Sequence, residues 1–446
     1  MTHIQRRALL AVIIGSGVAF LDGSIVNLAL PKMTVALHAG FAGQQWVIDG
    51  YLLTLSSLIL LGGSLGDILG RKKVYMWGVV GFGLSSLLCA FAPTIETLVL
   101  ARLVQGAFGA LMIPGALAII NTNFSTEQRG RAIGQWTAAT SGIIAAGPLV
   151  GGYILDTTSW RWIFLINVPL LILTVWLGWS TIKETKVEIE RRIDVTGAAL
   201  AVLALGGLTY GLIEGPGNNW DASATIPLFL GVVSSVVFVW HQRHRKDPML
   251  PLGLFGSHNF TAANLATFAM YGGLGGFFFI LTIYLQTNLH YSSIAAGLAA
   301  FPVTITMFFL SGRVGSLAGK FGPRWFMTFG PTLAGLGILM LLPLHEGSQY
   351  VWHILPGITL FGLGLATTVT PLTTTVLASV AEQDSGIASA VNNAVSRVSG
   401  LVVIALLGIF GAAHAYQFGV WLCGGLALLA GLVSAVLVRN PERNTK

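Results

Sequence analysis

Residues 63–73 read GSLGDILGRKK, and residues 315–324 read GSLAGKFGPR. The shared frame, G-S-L-x-x-x-x-G followed by basic residues, describes a short amphipathic turn that occurs twice. Working outward, each copy follows an apolar stretch. Fourteen such stretches run near residues 8–30, 44–65, 74–93, 96–121, 132–155, 162–182, 194–214, 222–241, 260–286, 294–318, 325–343, 350–377, 386–413 and 416–438. Each approaches or exceeds the roughly 20 apolar residues that an α-helix needs to cross a bilayer. Two adjoining six-helix halves would put the second turn after the eighth stretch; it follows the tenth. The spacing therefore predicts an all-α integral membrane protein with 14 transmembrane helices arranged 6+2+6. On this reading residues 1–182 form an N-terminal six-helix bundle. Residues 183–259 carry two inserted helices with cytoplasmic linkers. Residues 260–446 form a C-terminal bundle with a short cytoplasmic tail. Repeated helical halves are the usual plan of secondary transporters, with the substrate site near the midplane between them.

Composition agrees with that solvent. The chain is 54% hydrophobic and 9% charged, against about 25% charged in a soluble domain. Its 56 glycines fit helices that approach closely or bend in lipid. The net charge of +7 would also suit a nucleic-acid surface, but that needs the charge gathered on one domain. Instead, 20 of the 24 Lys and Arg residues lie at the N-terminus, in alternate loops and in the tail, among them Arg71, Lys72, Arg191, Arg192, Arg443 and Lys446. The other alternate loops hold Lys32 and Arg161. This positive-inside pattern predicts both termini in the cytoplasm, and hence an even number of crossings. Cys89 and Cys423 sit in apolar segments without metal-ligand spacing. His290, His345 and His414 lie near outer loops, also without such spacing. No metal and no cofactor is expected.

The exceptions to apolar composition carry the chemistry. Asp22 lies about 13 Å below the outer end of the first helix, Asp49 about 7 Å below that of the second and Arg102 about 10 Å below that of the fourth, at 1.5 Å per residue. An acid at the centre of a spanning helix costs roughly 2.5–3.5 kcal/mol on insertion scales, so such residues usually face a cavity or an ion path. Arginine keeps its charge and needs an acceptor. The similar depths predict one site holding two acids and one base, with one negative charge in excess to attract a proton or an organic cation. The structural alternatives are an Asp22 satisfied by Asn27, Ser24 or a neighbouring helix, an interfacial Asp49 and a purely structural Arg102 pair. Trp46 reads as an interface anchor and Tyr51 as an anchor or a cavity wall. In the second half Arg397 is the lone membrane arginine, with no acid at its depth. Its possible partners are helix carbonyls, Asn392, Asn393 or a substrate anion. Tyr271, Phe277, Phe278 and Tyr284 form an aromatic stripe that lines a cavity or faces core and lipid.

The order and spacing of LDGSIVNLALP (21–31), GSLGDILGRKK (63–73), LVLARLVQGAFGA (98–110), AGPLVGG (146–152) and WRWIFLINVP (160–169) resemble the major facilitator superfamily, and within it the fourteen-helix drug:proton antiporter family. The resemblance covers nearly the whole chain. It implies the major facilitator fold and several residue roles. Asp22 would take part in proton coupling or in binding cationic substrate. Arg102, with Gln105 and Gly106, would serve proton transfer. Gly147, Pro148, Gly151 and Gly152 would belong to a motif that seals the outer gate of exporters. Gly63, Asp67, Gly70, Arg71 and Lys72 would form a cytoplasmic conformational switch. The chain departs from the family at Phe108, Ile143 and Ile68, and Gly319 replaces the acid in the second turn, which then reads as a packing remnant.

Together these readings predict a proton-coupled multidrug efflux antiporter of a bacterial inner membrane. It would be monomeric and in contact with membrane lipids, exporting hydrophobic, cationic compounds by alternating access. Two other readings are a transporter of one defined metabolite (a sugar, peptide or siderophore) and a lipid flippase or membrane enzyme. No nucleophile–base pair or HExxH supports an enzyme, and no GxxxxGK[ST] supports ATP as the driver.

Overall fold

The computed structural model describes residues 1–186 and 193–440; Arg191, Arg192, Arg443 and Lys446 lie outside the described residues. The described chain is helical, and 13 of its helices are long and apolar enough to span a membrane. The segment expected at 325–343 forms Arg324–Leu339, 16 residues or about 24 Å, shorter than the rest. Two other expected spans are interrupted. The sixth divides at Ile166 into Trp162–Leu165 and Asn167–Thr181. The tenth divides at Ala300 into Ser293–Ala299 and Phe301–Phe321, with Pro302 in the first turn of the second piece, where its missing N–H costs nothing.

The chain falls into two compact units. The first comprises Met1–Leu250 with Ser292–Ile294. Its elements are α1 (His3–Ala36), α2 (Phe41–Leu69), α3 (Arg71–Ala90), α4 (Ile95–Asn123), α5 (Thr126–Thr157), α6 (Trp162–Leu165), α7 (Asn167–Thr181), α8 (Val195–Glu214) and α9 (Ala222–His244). Helix α1 starts in a capping box: Thr2 Oγ1 accepts from the Gln5 N–H while the Gln5 side chain accepts from the Thr2 N–H. It runs through Pro31 to Ala36, longer than its apolar run suggests. Helices α1, α3, α4 and α7 share a buried core that includes Ala11, Val12, Tyr75, Phe82, Met112 and Leu171.

The two helices expected as an insertion, α8 and α9, pack on each other, and α8 docks on α2. The link is specific: Trp46 Nε1 donates to Glu214 Oε1 at 2.7 Å, and the Trp46 ring lies 6.0 Å from that of Tyr210. Trp46, read as an interface anchor, thus holds α8. Helix α9 exposes Ile226, Phe229, Leu230, Val236 and Trp240, a face suited to lipid.

The second unit comprises Pro251–Tyr291 and Ala295 onward. It holds α10 (His258–Thr287), most of α11 (Ser293–Ala299), α12 (Phe301–Phe321), α13 (Arg324–Leu339), α14 (Leu355–Ala378), α15 (Ser385–Leu406) and α16 (Ala415–Leu437). Helix α10 packs against α15 and α16, and α14 against α12 and α13. A Cβ on Gly337 would stand 2.6 Å from the Gly357 carbonyl oxygen, so α13 and α14 touch backbone to backbone, as small residues allow in membrane helices.

The repeated turn has one geometry in both units. Gly70, between α2 and α3, has φ +113°, and Gly322, between α12 and α13, has φ +88°, a region open to glycine and strained for other residues. A distant side chain closes each turn. Glu184 accepts from the Lys72 and Lys73 N–H groups, both at 3.1 Å. Asn440 accepts from the Arg324 N–H at 3.1 Å. The second copy, read from the sequence as a packing remnant, keeps the turn and a side-chain cap, and Gly319 stands where the first copy has Asp67, the partner of Arg71.

Candidate functional site

Asp22, Arg102 and Gln105 meet in one buried network of the first unit. Arg102, on α4, is 1% exposed, and its Nη1 lies 2.5 Å from Asp22 Oδ2 on α1. The same nitrogen donates to Gln105 Oε1 at 2.6 Å, and Nε donates to the Val47 carbonyl of α2 at 3.1 Å. Gln105 sits one turn after Arg102, the spacing at which helical side chains become neighbours. Its Nε2 donates to Asp22 Oδ1 at 3.2 Å and to Ser86 Oγ at 2.9 Å. Asn167 Nδ2 donates to the same two acceptors at 3.2 and 3.3 Å. The Tyr51 ring stacks on the guanidinium, 4.4 Å from Cζ, and Phe164 lies at 5.9 Å. Arg102, Gln105 and Asn167 all donate to the Asp22 carboxylate, and one basic side chain faces one acidic one.

This corrects the expected grouping of two acids and one base. Asp49, on α2, is fully buried, but neither carboxylate oxygen has a hydrogen-bond partner among the described residues. Arg102 spends its contacts on Asp22, Gln105 and Val47. Asn27 is outside the network too: its Nδ2 donates to the Gly23 carbonyl of its own helix, and its buried Oδ1 has no partner among the described residues. Tyr51 is a buried ring of the network, not an open wall. The sequence reading missed Asn167 and Ser86. Asn167 had a signal, being an amide inside the apolar run IFLINVP.

The glycine motif of α5 faces α1. A Cβ on Gly147 would lie 2.5 Å from Ser24 Oγ, and one on Gly151 2.7 Å from Ile25 Cγ2; Pro148 lies within the helix between them. Gly152 approaches the backbone of Ile294. Near the end of the same helix Asp156 pairs with Lys32 at 3.0 Å and accepts from the Ser293 and Ile294 N–H groups. In the turn at 63–73, Asp67 pairs with Arg71 at 2.8 Å. Lys72 Nζ donates to the Trp179 carbonyl at 2.6 Å, and a Cβ on Gly63 would meet only Pro114, at an ordinary contact distance.

In the second unit Tyr271 lines a cavity of about 160 Å³ with Thr373, Ser389, Asn392, Asn393 and Ser396. Phe278 joins an aromatic cluster with Phe277 and Phe361. Tyr284 is committed elsewhere: its ring stacks on Tyr416 at 3.8 Å and its hydroxyl donates to the Leu344 carbonyl. Arg397, half-buried on α15, follows Ser396 directly and lies one helical turn after Asn393, both of them residues of the cavity lining.

Two compact units of apolar spanning helices, one enclosing a paired acid and base deep in its core, define a multi-pass membrane transporter. The chain belongs to the Major Facilitator Superfamily, whose profile matches residues 12–403 and 263–446. It is 33% identical to the multidrug resistance protein Stp of Mycobacterium tuberculosis, over 92% of this chain and 76% of that one. It is 32% identical to the puromycin resistance protein pur8 of Streptomyces alboniger, over 94% and 88%, and 32% identical to the methylenomycin A resistance protein of Streptomyces coelicolor, over 98% and 93%. Among solved structures it resembles a POT family transporter in complex with 5-aminolevulinic acid, with TM-score 0.74, 11% identity and coverage of 96% and 95%. A D-xylose-proton symporter matches with TM-score 0.69, 15% identity and coverage of 97% and 98%. At these identities the structural likeness speaks for the fold.

Proposed function

We propose that this protein is a proton-coupled antiporter that exports hydrophobic compounds from the bacterial cytoplasm by alternating access, and that it is not an enzyme. The relatives named for multidrug and antibiotic resistance support export of small molecules. We assign the proton to Asp49, and the observation that carries this is its buried carboxyl group without a hydrogen-bond partner. A lone ionised carboxylate is costly in such a place, whereas the neutral acid is tolerated. Asp22 has its charge matched by Arg102 and braces the bundle. Proton entry from outside at Asp49 would favour substrate release; proton loss inside would reset the site. A cationic substrate would feel the ionised Asp49 through its field, since the carboxylate is sealed from contact.

In this reading 14 spans are organised 6+2+6, with α8 and α9 as an auxiliary pair, both termini in the cytoplasm, and a monomer embedded in lipid. The 63–73 turn acts as a cytoplasmic switch and the α5 glycines help close the outer side. No cofactor is needed beyond the proton gradient. The test is export into inverted vesicles energised by respiration. Asp49→Asn should abolish proton-driven accumulation while leaving downhill substrate exchange. Undiminished accumulation by Asp49→Asn, sensitive to an uncoupler, would sink the assignment.

A further inference from the structure

The second unit holds a charge that no acid among its described residues matches. Arg397 lies 12 residues into α15, about 18 Å along the helix from Ser385, and the acids Glu382 and Asp384 precede that start. No carboxylate pairs with it among the described residues. Other cations of this unit are engaged: Arg324 donates twice to the Ala435 carbonyl and Arg313 to the Phe309 carbonyl. An arginine at membrane depth is expensive without an acceptor or a water-filled cavity.

A polar cavity stands beside it. Asn393 lies one helical turn before Arg397, and Ser396 immediately before it; both line the cavity with Tyr271 of α10 and Thr373 of α14. The lining offers hydroxyls and amides and no carboxylate. Asn392 is already spent, its amide donating to Asn264 Oδ1 at 3.1 Å and Thr267 Oγ1 at 2.8 Å. That ties α15 to α10 and holds the wall that carries Asn393 and Ser396, with Arg397 next along the same helix. The volume, about 160 Å³, is well below the roughly 300–1,000 Å³ of a pocket that encloses a drug-sized ligand. It suits one polar group of a larger molecule.

We propose that Arg397, with Tyr271, Asn393 and Ser396, forms a subsite for a carboxylate or similar oxyanion carried by the exported compound. A guanidinium beside neutral donors is the donor set an oxyanion requires. The inference rests on the export reading above and narrows it: hydrophobic substrates bearing an acidic group are retained better than their esters.

The test is equilibrium binding by fluorescence anisotropy, without any gradient, to the purified full-length protein in phosphatidylcholine nanodiscs. The probes are rhodamine B, which carries a free carboxylate, and rhodamine 6G, whose carboxyl is an ethyl ester. Arg397→Gln should weaken rhodamine B about tenfold or more, as loss of a charge-assisted contact does, and leave rhodamine 6G within about twofold. Arg397→Lys should fall between, and Tyr271→Phe should cost rhodamine B a smaller factor. Retained rhodamine 6G binding shows that the variants fold. Equal rhodamine B binding by wild type and Arg397→Gln, including no binding by either, overturns the subsite. Loss of the Arg397-dependent preference when phosphatidylglycerol is added to the nanodiscs assigns the oxyanion to lipid and overturns the substrate assignment. Failed export in vesicles with Arg397-dependent dye binding intact overturns the transport reading alone.

Discussion

The Arg102 guanidinium closes on the Asp22 carboxylate at 2.5 Å, with both side chains sealed from solvent. Removing one partner of such a pair leaves a buried charge, which costs about 3–5 kcal/mol. Arg102→Gln and Asp22→Asn should therefore each lower the thermal midpoint in detergent sharply, since either leaves a buried charge without its counter-ion. The double variant, with no charge left to strand, should recover more than half of the Arg102→Gln loss. Strict additivity of the two single effects would show that the pair does not act as a unit.

The turn glycines give a second expectation. A Cβ on Gly70 would stand 2.6 Å from Glu184 Oε1, and one on Gly322 2.4 Å from Asn440 Cγ, each added to a strained positive φ. Gly70→Ala and Gly322→Ala should both destabilise, by about 1–3 kcal/mol. The caps differ in charge, so added salt should weaken the Glu184 cap and leave the Asn440 cap nearly unchanged. Hydrogen exchange of the first turns of α3 and α13 at low and high ionic strength reads the difference; an equal response would sink it.

The α5 glycines should be unequal. Gly147 faces Ser24 Oγ, a small group free to rotate, whereas Gly151 faces the branched Ile25, with contacts at 2.7, 2.8 and 3.2 Å. Gly151→Ala should reduce folded yield and export more than Gly147→Ala does. Fluorescence size-exclusion profiles and resistance of expressing cells report both; the reverse order would contradict the packing of α5 on α1.

Asp194, the N-cap of α8, joins the two auxiliary helices. Burial pushes its carboxyl up, but bonds from His241, the Gly197 N–H and Gln242, with the Arg245 charge, outweigh burial and hold it below the ordinary 3.8. A group lowered by folding stabilises above its unfolded value and loses that contribution as pH falls through the folded one. Asp194→Asn should speed hydrogen exchange in α8 and α9 at neutral pH. Its difference from wild type should shrink as pH drops below about 3.8. A gap that widens on acidification would reverse the sign.

The sequence made the helical plan legible because apolar length and loop charge act at the scale of whole segments. It also brought out Asp22 and Arg102, since a charge in an apolar run is conspicuous, and counting along the helices placed them at one depth. Depth says nothing about azimuth, which is why Asp49 was grouped with a cation that it does not contact. Ser86 and Asn167 stayed hidden because neutral polar residues are common in membrane helices and gain meaning only from what they face. Glu184 and Asn440 were illegible for another reason: each caps a turn more than 100 residues away in sequence.

The Asp22–Arg102 pair has a further electrical meaning. A matched couple carries no net charge, so displacing it through the membrane field does little work, whereas an unmatched charge costs about 2.3 kcal/mol per 100 mV. With that couple silent, the cycle proposed above would carry as current only the proton assigned to Asp49 and whatever charge the cargo bears. Exchange for a monovalent cation is then electroneutral, exchange for a neutral molecule moves one charge, and exchange for an acid moves two. The same protein would be driven by the pH gradient alone in the first case and increasingly by the membrane voltage in the others.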